Sequence, residues 1–313
     1  MSDILERYRA RRSAWAEAPS RFLDPAPKLA EDTLWRGLTR NGELRFLVAR
    51  ATTTTSEIAR TLGAHRDGTR LLASLVLGGV LARSTLDPDA QLQITVRDRG
   101  PGGRLYLDVW PSGRGLRASL EHPAADLGPD PEVLRAGELE IVRSRSGGTP
   151  YRSSRNYESK TLPQLFEIHL LESDQIVAML RLDVRFDGDD LSLAAAFLVQ
   201  VTPEGTREDL ARLVSNLDSL PPLGDGMTED DPDGRAWTTR LLDGYRWDQS
   251  AREPIEFVCR CSRDRLLAIL GALPGADLDE MIAAGKPIET SCEFCKARYE
   301  IDPAELAARR RLN

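Results

Sequence analysis

All four cysteines of this 313-residue chain stand near its C-terminus, as Cys259-Arg260-Cys261 and, thirty residues on, Cys292-Glu293-Phe294-Cys295. Four soft sulfurs in two tight pairs match the tetrahedral coordination of a structural zinc ion, with zinc–sulfur distances of about 2.3 Å. A Cys-x-x-Cys turn points backbone N–H groups at its sulfurs, and Cys-x-Cys delivers two thiolates from a nearly extended chain. Arg260, Arg263, Arg265, Lys296 and Arg298 stand close enough in sequence to offset the negative charge of four thiolates on one Zn²⁺. The same spacing also suits two local disulfides, so it leaves open whether the site is a fixed staple or a redox switch.

The elements holding these residues are short. Ser262 is the expected N-cap of a helix carrying Leu266, Leu267, Ile269 and Leu270, and Leu278 to Ala284 reads as a second helix closed by Gly285. Residues 255–313 have few apolar groups and fall below the size at which a hydrophobic core normally suffices. A structural zinc supplies on the order of 10 kcal/mol to such a module. Thiolates are also the oxidisable form of cysteine. Once metal is lost, the partner nearest in sequence to each sulfur is its own pair-mate. A Cys292–Cys295 bridge closes easily, whereas an extended i, i+2 spacing puts Cys259 and Cys261 near the upper limit of disulfide Cα separation, about 6.8 Å. Cys292–Cys295 is therefore expected to form first.

The rest of the chain offers little competing chemistry. A formal charge of −7 and a pI near 5.3 argue against nucleic acid as the main partner. Arg309-Arg310-Arg311 reads as a solvated helix end. No apolar run is long enough to span a membrane, and residues 1–22 lack the apolar stretch of a secretory signal. A reducing cytoplasm is expected, where four-cysteine zinc sites are common and structural disulfides rare. His65, His122 and His169 are scattered and read as structural or surface groups, and Cys292-x-x-Cys295 lacks the βαβ surroundings of a thiol oxidoreductase. No enzyme is expected.

Stepping outward from the cysteines, residues 31–205 read as an α+β core. Expected helices are Glu31 to Leu38, Ser56 to Leu62 and Gly68 to Arg83, the last apolar nearly all round and so buried. Expected strands are Leu44 to Ala51, a hairpin with Leu92, Ile94, Val96 against Leu105, Leu107, Val109, and then Leu139 to Val142, Leu165 to Leu171, Ala178 to Phe186 and Leu193 to Val201. Residues 206–254 read as a marginally stable helical linker. Thr206 caps a helix with Leu210, Leu213 and Leu217 on one stripe, and Trp237 to Trp247 adds a second amphipathic segment with Leu241, Leu242, Tyr245 and Trp247. Asp225 to Gly234 between them is too acidic and turn-rich to be expected to pack. An N-terminal arm, 1–30, precedes the core.

Two segments carry a resemblance: Phe257-Val-Cys-Arg-Cys-Ser-Arg-Asp-Arg265 and Pro287-Ile-Glu-Thr-Ser-Cys-Glu-Phe-Cys-Lys-Ala-Arg-Tyr-Glu-Ile-Asp302. They closely resemble the redox-switch domain of the heat-shock protein 33 family of bacterial chaperones. Asn41-Gly-Glu-Leu-Arg45, Glu172-Ser-Asp-Gln-Ile176 and Phe197-Leu-Val-Gln-Val-Thr-Pro203 are similar to further family segments, although Ala195-Ala196 replaces a usual glycine pair. The resemblance implies an α/β client-binding and dimerisation core, a metastable linker and a zinc module with Cys259, Cys261, Cys292 and Cys295 as ligands. It also implies a zinc-bound, reduced form that is inactive. Oxidation then releases zinc, forms two local disulfides among those cysteines, unfolds switch and linker, and bares a surface that holds unfolded clients without ATP. The oxidised form is implied to be a homodimer that passes clients to ATP-dependent foldases. Leu210, Leu213, Leu217, Leu241, Leu242, Tyr245 and Trp247 are the candidate client and linker surface. The alternative is a zinc-stapled binding protein without redox switching.

Overall fold

A computed structural model describes residues 31–111, 115–273 and 275–310. The arm expected over 1–30 and Arg311 lie outside these residues. The chain divides into two compact units between Phe257 and Val258.

The first unit contains β1 (Thr33–Thr39), β2 (Leu44–Arg50), α1 (Thr52–Leu62), α2 (Arg66–Arg83), β3 (Gln91–Asp98), β4 (Arg104–Val109), β5 (Leu116–Leu120), β6 (Val133–Ser144) and β7 (Tyr151–Thr161). It continues through α3 (Leu162–Glu172), β8 (Val177–Asp187), β9 (Asp190–Val201), α4 (Arg207–Asp218), α5 (Arg235–Leu241) and β10 (Trp247–Pro254). Two five-stranded antiparallel sheets result, in the orders β10-β1-β2-β9-β8 and β5-β4-β3-β6-β7. Helix α2 packs on β2, β8 and β9 of one sheet and on β3, β4 and β5 of the other. That position explains its sequence: a helix covered on both sides needs apolar or small residues all round, and Leu71 through Arg83 are all buried.

The first sheet is covered on both faces. Along β9, Ala194, Ala196 and Leu198 face the helices, while Leu193, Ala195, Phe197 and Val199 join a second core on the opposite face. Strand β2 divides likewise, with Leu47 and Ala49 on one side and Leu44, Phe46 and Val48 on the other. A strand buried on both faces has no polar alternation to show, and the near-continuous run Leu191-Ser-Leu-Ala-Ala-Ala-Phe-Leu-Val199 is the result. Residues 206–247 provide the cover through Leu213, Leu217, Leu220, Leu223, Met227, Trp237, Leu241 and Leu242.

Four sequence expectations are overturned. Glu31 to Leu38 is not helical: Thr33–Thr39 is a strand between β2 and β10, with Trp35 buried, because cross-strand pairing overrides a weak local pattern. Leu165 to Leu171 is helix α3 rather than a strand. Its start is the Thr161–Gln164 capping box with Pro163 in the first turn, a signal that settles what a short apolar run leaves ambiguous. The acidic stretch after Pro222 packs: Met227 is buried, Asp231 caps α5 through Arg235 N–H (2.9 Å) and Ala236 N–H (2.7 Å), and Arg185 reaches Asp225 (2.7 Å). Its carboxylates serve as caps and ion-pair partners. Trp247–Pro254, expected to close a helical linker, forms an edge strand.

Among the described residues, no helix is long and apolar enough to cross a membrane.

Candidate metal centre

The second unit comprises α6 (Arg263–Leu270), α7 (Gly275–Ala283), a two-stranded hairpin of β11 (Ile288–Ser291) and β12 (Arg298–Ile301), and α8 (Pro303–Arg310). Its buried core consists of Leu267, Leu278, Ile301 and Leu306, with Leu266, Leu270, Ile282 and Ile288 packed partly against them. Ser262 caps α6 by accepting from Arg265 N–H (3.2 Å), as the sequence predicted. Arg263 ion-pairs with Glu305, tying α6 to α8.

Cys259 and Cys261 lie in the segment just before α6, and Cys292 and Cys295 lie in the turn joining β11 to β12. That turn closes on backbone bonds from Cys292 N–H to Ala297 O (2.9 Å) and from Lys296 N–H to Cys292 O (3.0 Å), with Lys296 left-handed at φ 56°. The four sulfurs all lie within 4.8 Å of one another. Two close approaches run between the motifs: Cys259 Sγ to Cys292 Sγ is 3.6 Å and Cys261 Sγ to Cys295 Sγ is 3.3 Å. A tetrahedron with metal–sulfur bonds of about 2.3 Å has edges of about 3.8 Å. The donor set and its spacing therefore fit one metal ion held by the four cysteines.

Electrostatics separates the thiols. Burial pushes Cys259 up to about 12 and also raises Cys295. Burial would raise Cys261 as well, but the hydroxyl of Tyr299, donating to its sulfur at 3.0 Å, and the neighbouring thiols bring it down to about 7. A coordinated cation reverses the effect of burial, since a thiol bound to a divalent metal is deprotonated. The Tyr299 contact was not legible in the sequence, where an aromatic four residues after Cys295 reads only as a strand residue.

The first unit holds the other site residues singled out by sequence. Leu213, Leu217, Leu241 and Leu242 are buried against the first sheet, Tyr245 and Trp247 pack on the same cluster half-buried, and Leu210 is half-buried outside it. Tyr245 donates its hydroxyl to Asp209 (2.7 Å). A buried polar node in the same unit carries no local sequence signal. Arg50 donates to Pro232 O (2.7 Å) and Glu31 O, Thr54 N–H donates to Asp32 (2.6 Å), and Thr54 Oγ1 donates to Ile255 O (2.8 Å). His169 is buried, and His65 and His122 are exposed.

A family model described as Hsp33 protein matches residues 32–302. The chain belongs to the Hsp33 family. It is 29% identical over 286 residues to the 33 kDa chaperonin of Syntrophotalea carbinolica, covering 89% of this chain and 99% of that one. It is 28% identical over 287 residues to the 33 kDa chaperonin of Limosilactobacillus fermentum, covering 88% and 97%. The crystal structure of the Hsp33 homologue from Thermotoga maritima superposes with a TM-score of 0.76 at 20% identity, covering 90% of this chain and 99% of that one, which shows a shared fold. The family is one of chaperones and not of enzymes, so unfolded proteins are the partners that membership implies.

Proposed function

We propose that this protein is a redox-regulated, ATP-independent holdase, inactive while its four cysteines hold zinc. The observation that carries the proposal is the sulfur cluster in a unit whose buried core, among the described residues, is four side chains. So small a core makes folding depend on the metal. Cys259, Cys261, Cys292 and Cys295 are the proposed ligands, and zinc, when bound, supplies the cross-link that holds the module folded. The all-sulfur donor set favours zinc over the harder divalent cations.

Oxidation by peroxide removes the ligands. Each pair of thiols loses two electrons and two protons to one peroxide, giving one disulfide and two waters. Local bridges, Cys259–Cys261 and Cys292–Cys295, are the proposed products. Without its cross-link the module unfolds, and Phe257, two residues before Cys259, is the last residue of the unit carrying the linker. Loss of order at that end loosens 206–254, the proposed linker. The apolar face beneath it, with Trp35, Phe46 and Phe197, is then free to hold clients. The proposed domains are a core over 31–205, this linker and a switch over 255–313. The oxidised form is proposed to be a cytoplasmic homodimer that releases clients to ATP-dependent foldases.

Light scattering of a heat-unfolding client tests this reading, comparing zinc-loaded reduced protein with protein treated with peroxide at elevated temperature. Suppression only after oxidation is the expected result. Equal behaviour of the two states would overturn the switch and leave a zinc-stapled binding protein.

A further inference from the structure

The linker covers the first sheet and also completes it. Strand β10 pairs antiparallel with β1 along its whole length, from Thr33↔Pro254 to Thr39↔Trp247, with a bulge between Arg36 and Gly37. Releasing the linker therefore removes an edge strand as well as a lid, and it leaves β1 with a row of unpaired backbone groups. Such an edge accepts an extended chain from elsewhere.

Three features of β1 say what kind of chain it accepts. First, Trp247 packs against Trp35 (centroids 6.0 Å) and edge-on to Phe46 (5.2 Å). Gly37 makes room for this slot. A Cβ there would collide with the Phe46 ring and lie 2.6 Å from the backbone oxygen of Asp248, so the added strand comes closer than any other residue at 37 would allow. Second, Arg40 pairs with Asp248 (3.1 Å) and Arg36 with Glu253, so the edge is cationic on both sides of the slot. Third, β10 alternates between half-buried and exposed residues, with an apolar contribution only from Trp247 and Ala251. Its hold on β1 is mostly backbone, one aromatic and two carboxylates.

We infer that the β1 edge is a strand-addition site for clients and that β10 is its built-in occupant. Clients are taken there as extended segments carrying an aromatic residue followed by a carboxylate, in the manner of Trp247-Asp248. The inference rests on the holdase reading above, since it requires the linker to leave.

The ladder makes a sharp test possible. Ile255 N–H bonds Asp32 O (3.0 Å) at one end of β10 and Arg40 N–H bonds Arg246 O (2.8 Å) at the other. Hydrogen-bonded pairs alternate in an antiparallel ladder. Counting from each end, the N–H groups of Ala251 and Glu253 point at β1, and those of Gln249 and Arg252 point away. A fluorescent peptide of residues 245–256 is titrated by anisotropy against reduced and peroxide-activated protein. Two further peptides are used, one N-methylated at Ala251 and Glu253, the other at Gln249 and Arg252.

The unmodified peptide should bind only the activated protein, because β10 occupies the edge in the reduced form. Methylation at 251 and 253 should weaken binding about thirtyfold through the loss of two backbone hydrogen bonds. Methylation at 249 and 252 should leave it nearly unchanged, and a Trp247→Ala peptide should bind more weakly than the unmodified one. Equal loss, or no loss, with the two methylated peptides overturns strand addition. Absence of peptide binding to a preparation that does suppress client aggregation overturns this inference and leaves the holdase reading standing. Absence of both activities overturns the two together.

Discussion

Gly79 of α2 backs directly onto Leu107 of β4: a Cβ at Gly79 would collide with Leu107 Cδ2 and lie 3.0 Å from Ile94 Cδ1. One residue earlier, Gly78 meets the buried ring of Phe166 on α3 in the same way. The central helix thus touches its neighbours with bare backbone. Gly79→Ala adds a methyl where both Leu107 and Ile94 are fully buried. Alanine favours the helix by about 1 kcal/mol, but overpacking a tight core costs about 1–3 kcal/mol. The expected outcome is a net loss of stability in urea unfolding, larger for Gly79→Val, with metal binding by the cysteine module unchanged.

The buried His169 gives the first unit an acid-sensitive component. Burial, and then the charge of Arg143, lower its pKa to about 4. The unfolded chain takes up this proton near pH 6.5. Between about pH 6.5 and 4 the unfolded state therefore binds more protons, and stability falls as pH falls, by up to about 1.4 kcal/mol per unit from this one group. Asp174, beside it at 3.6 Å, is raised by burial and contributes with the opposite sign in its own range. Comparing His169→Gln with the wild type isolates the histidine: urea unfolding across pH 4–7 should show a shallower decline in the variant. Parallel curves would mean that His169 protonates in the folded state as it does in the unfolded chain.

The four-cysteine cluster was legible because coordination chemistry writes itself into local spacing, and Ser262 and Thr206 because caps are local too. Helix α2 and the β3–β4 hairpin were legible from periodicity. What the sequence hid is decided at a distance. Thr33–Thr39 becomes a strand through β2 and β10, the second of which starts more than 200 residues later. Strand β10 itself, Trp-Asp-Gln-Ser-Ala-Arg-Glu-Pro, has too little apolar content to declare a face. The cover over the first sheet was readable as amphipathic helices, but not which surface they cover, since that depends on β9 being apolar on both faces. Tyr299 at the sulfur cluster is likewise set by the hairpin register.

Leu241 and Trp247 hold the proposed linker at two points, Leu241 buried in the second core and Trp247 in the Trp35–Phe46 slot. Truncating a buried leucine costs about 2–5 kcal/mol, much of the stability available to a short helical cover. Leu241→Ser and Trp247→Ser proteins, reduced and zinc-loaded, should therefore suppress aggregation of a heat-unfolding client where the reduced wild type does not. Variants as inactive as the wild type would move the control surface elsewhere.

The order of oxidation is a separate question. The reduced cluster brings Cys261 and Cys295 to 3.3 Å across the motifs, yet local bridges are the proposed products. The Cys292–Cys295 turn should close first, with Cys259–Cys261 following after the module has loosened, because an extended i, i+2 pair is strained. Disulfide mapping by mass spectrometry after substoichiometric peroxide should find Cys292–Cys295 alone. A leading Cys261–Cys295 or Cys259–Cys261 bridge would reverse the scheme.

Tyr299 should tune the metal centre without holding metal itself. Its hydroxyl donates to the Cys261 sulfur, a hydrogen bond that would stabilise negative charge on that sulfur when it ligates a metal ion. Partners of this kind typically contribute 10- to 100-fold to metal affinity. The tyrosine is a residue of β12 in the hairpin, and Tyr299→Phe keeps the ring and removes only the donor. Competition with a zinc chelator should show affinity falling by about tenfold. Circular dichroism of the zinc-saturated variant should match the wild type, and zinc release under peroxide should accelerate. If affinity is unchanged while release accelerates, the hydroxyl acts on thiol reactivity alone. If both are unchanged, the contact at Cys261 is incidental to the site.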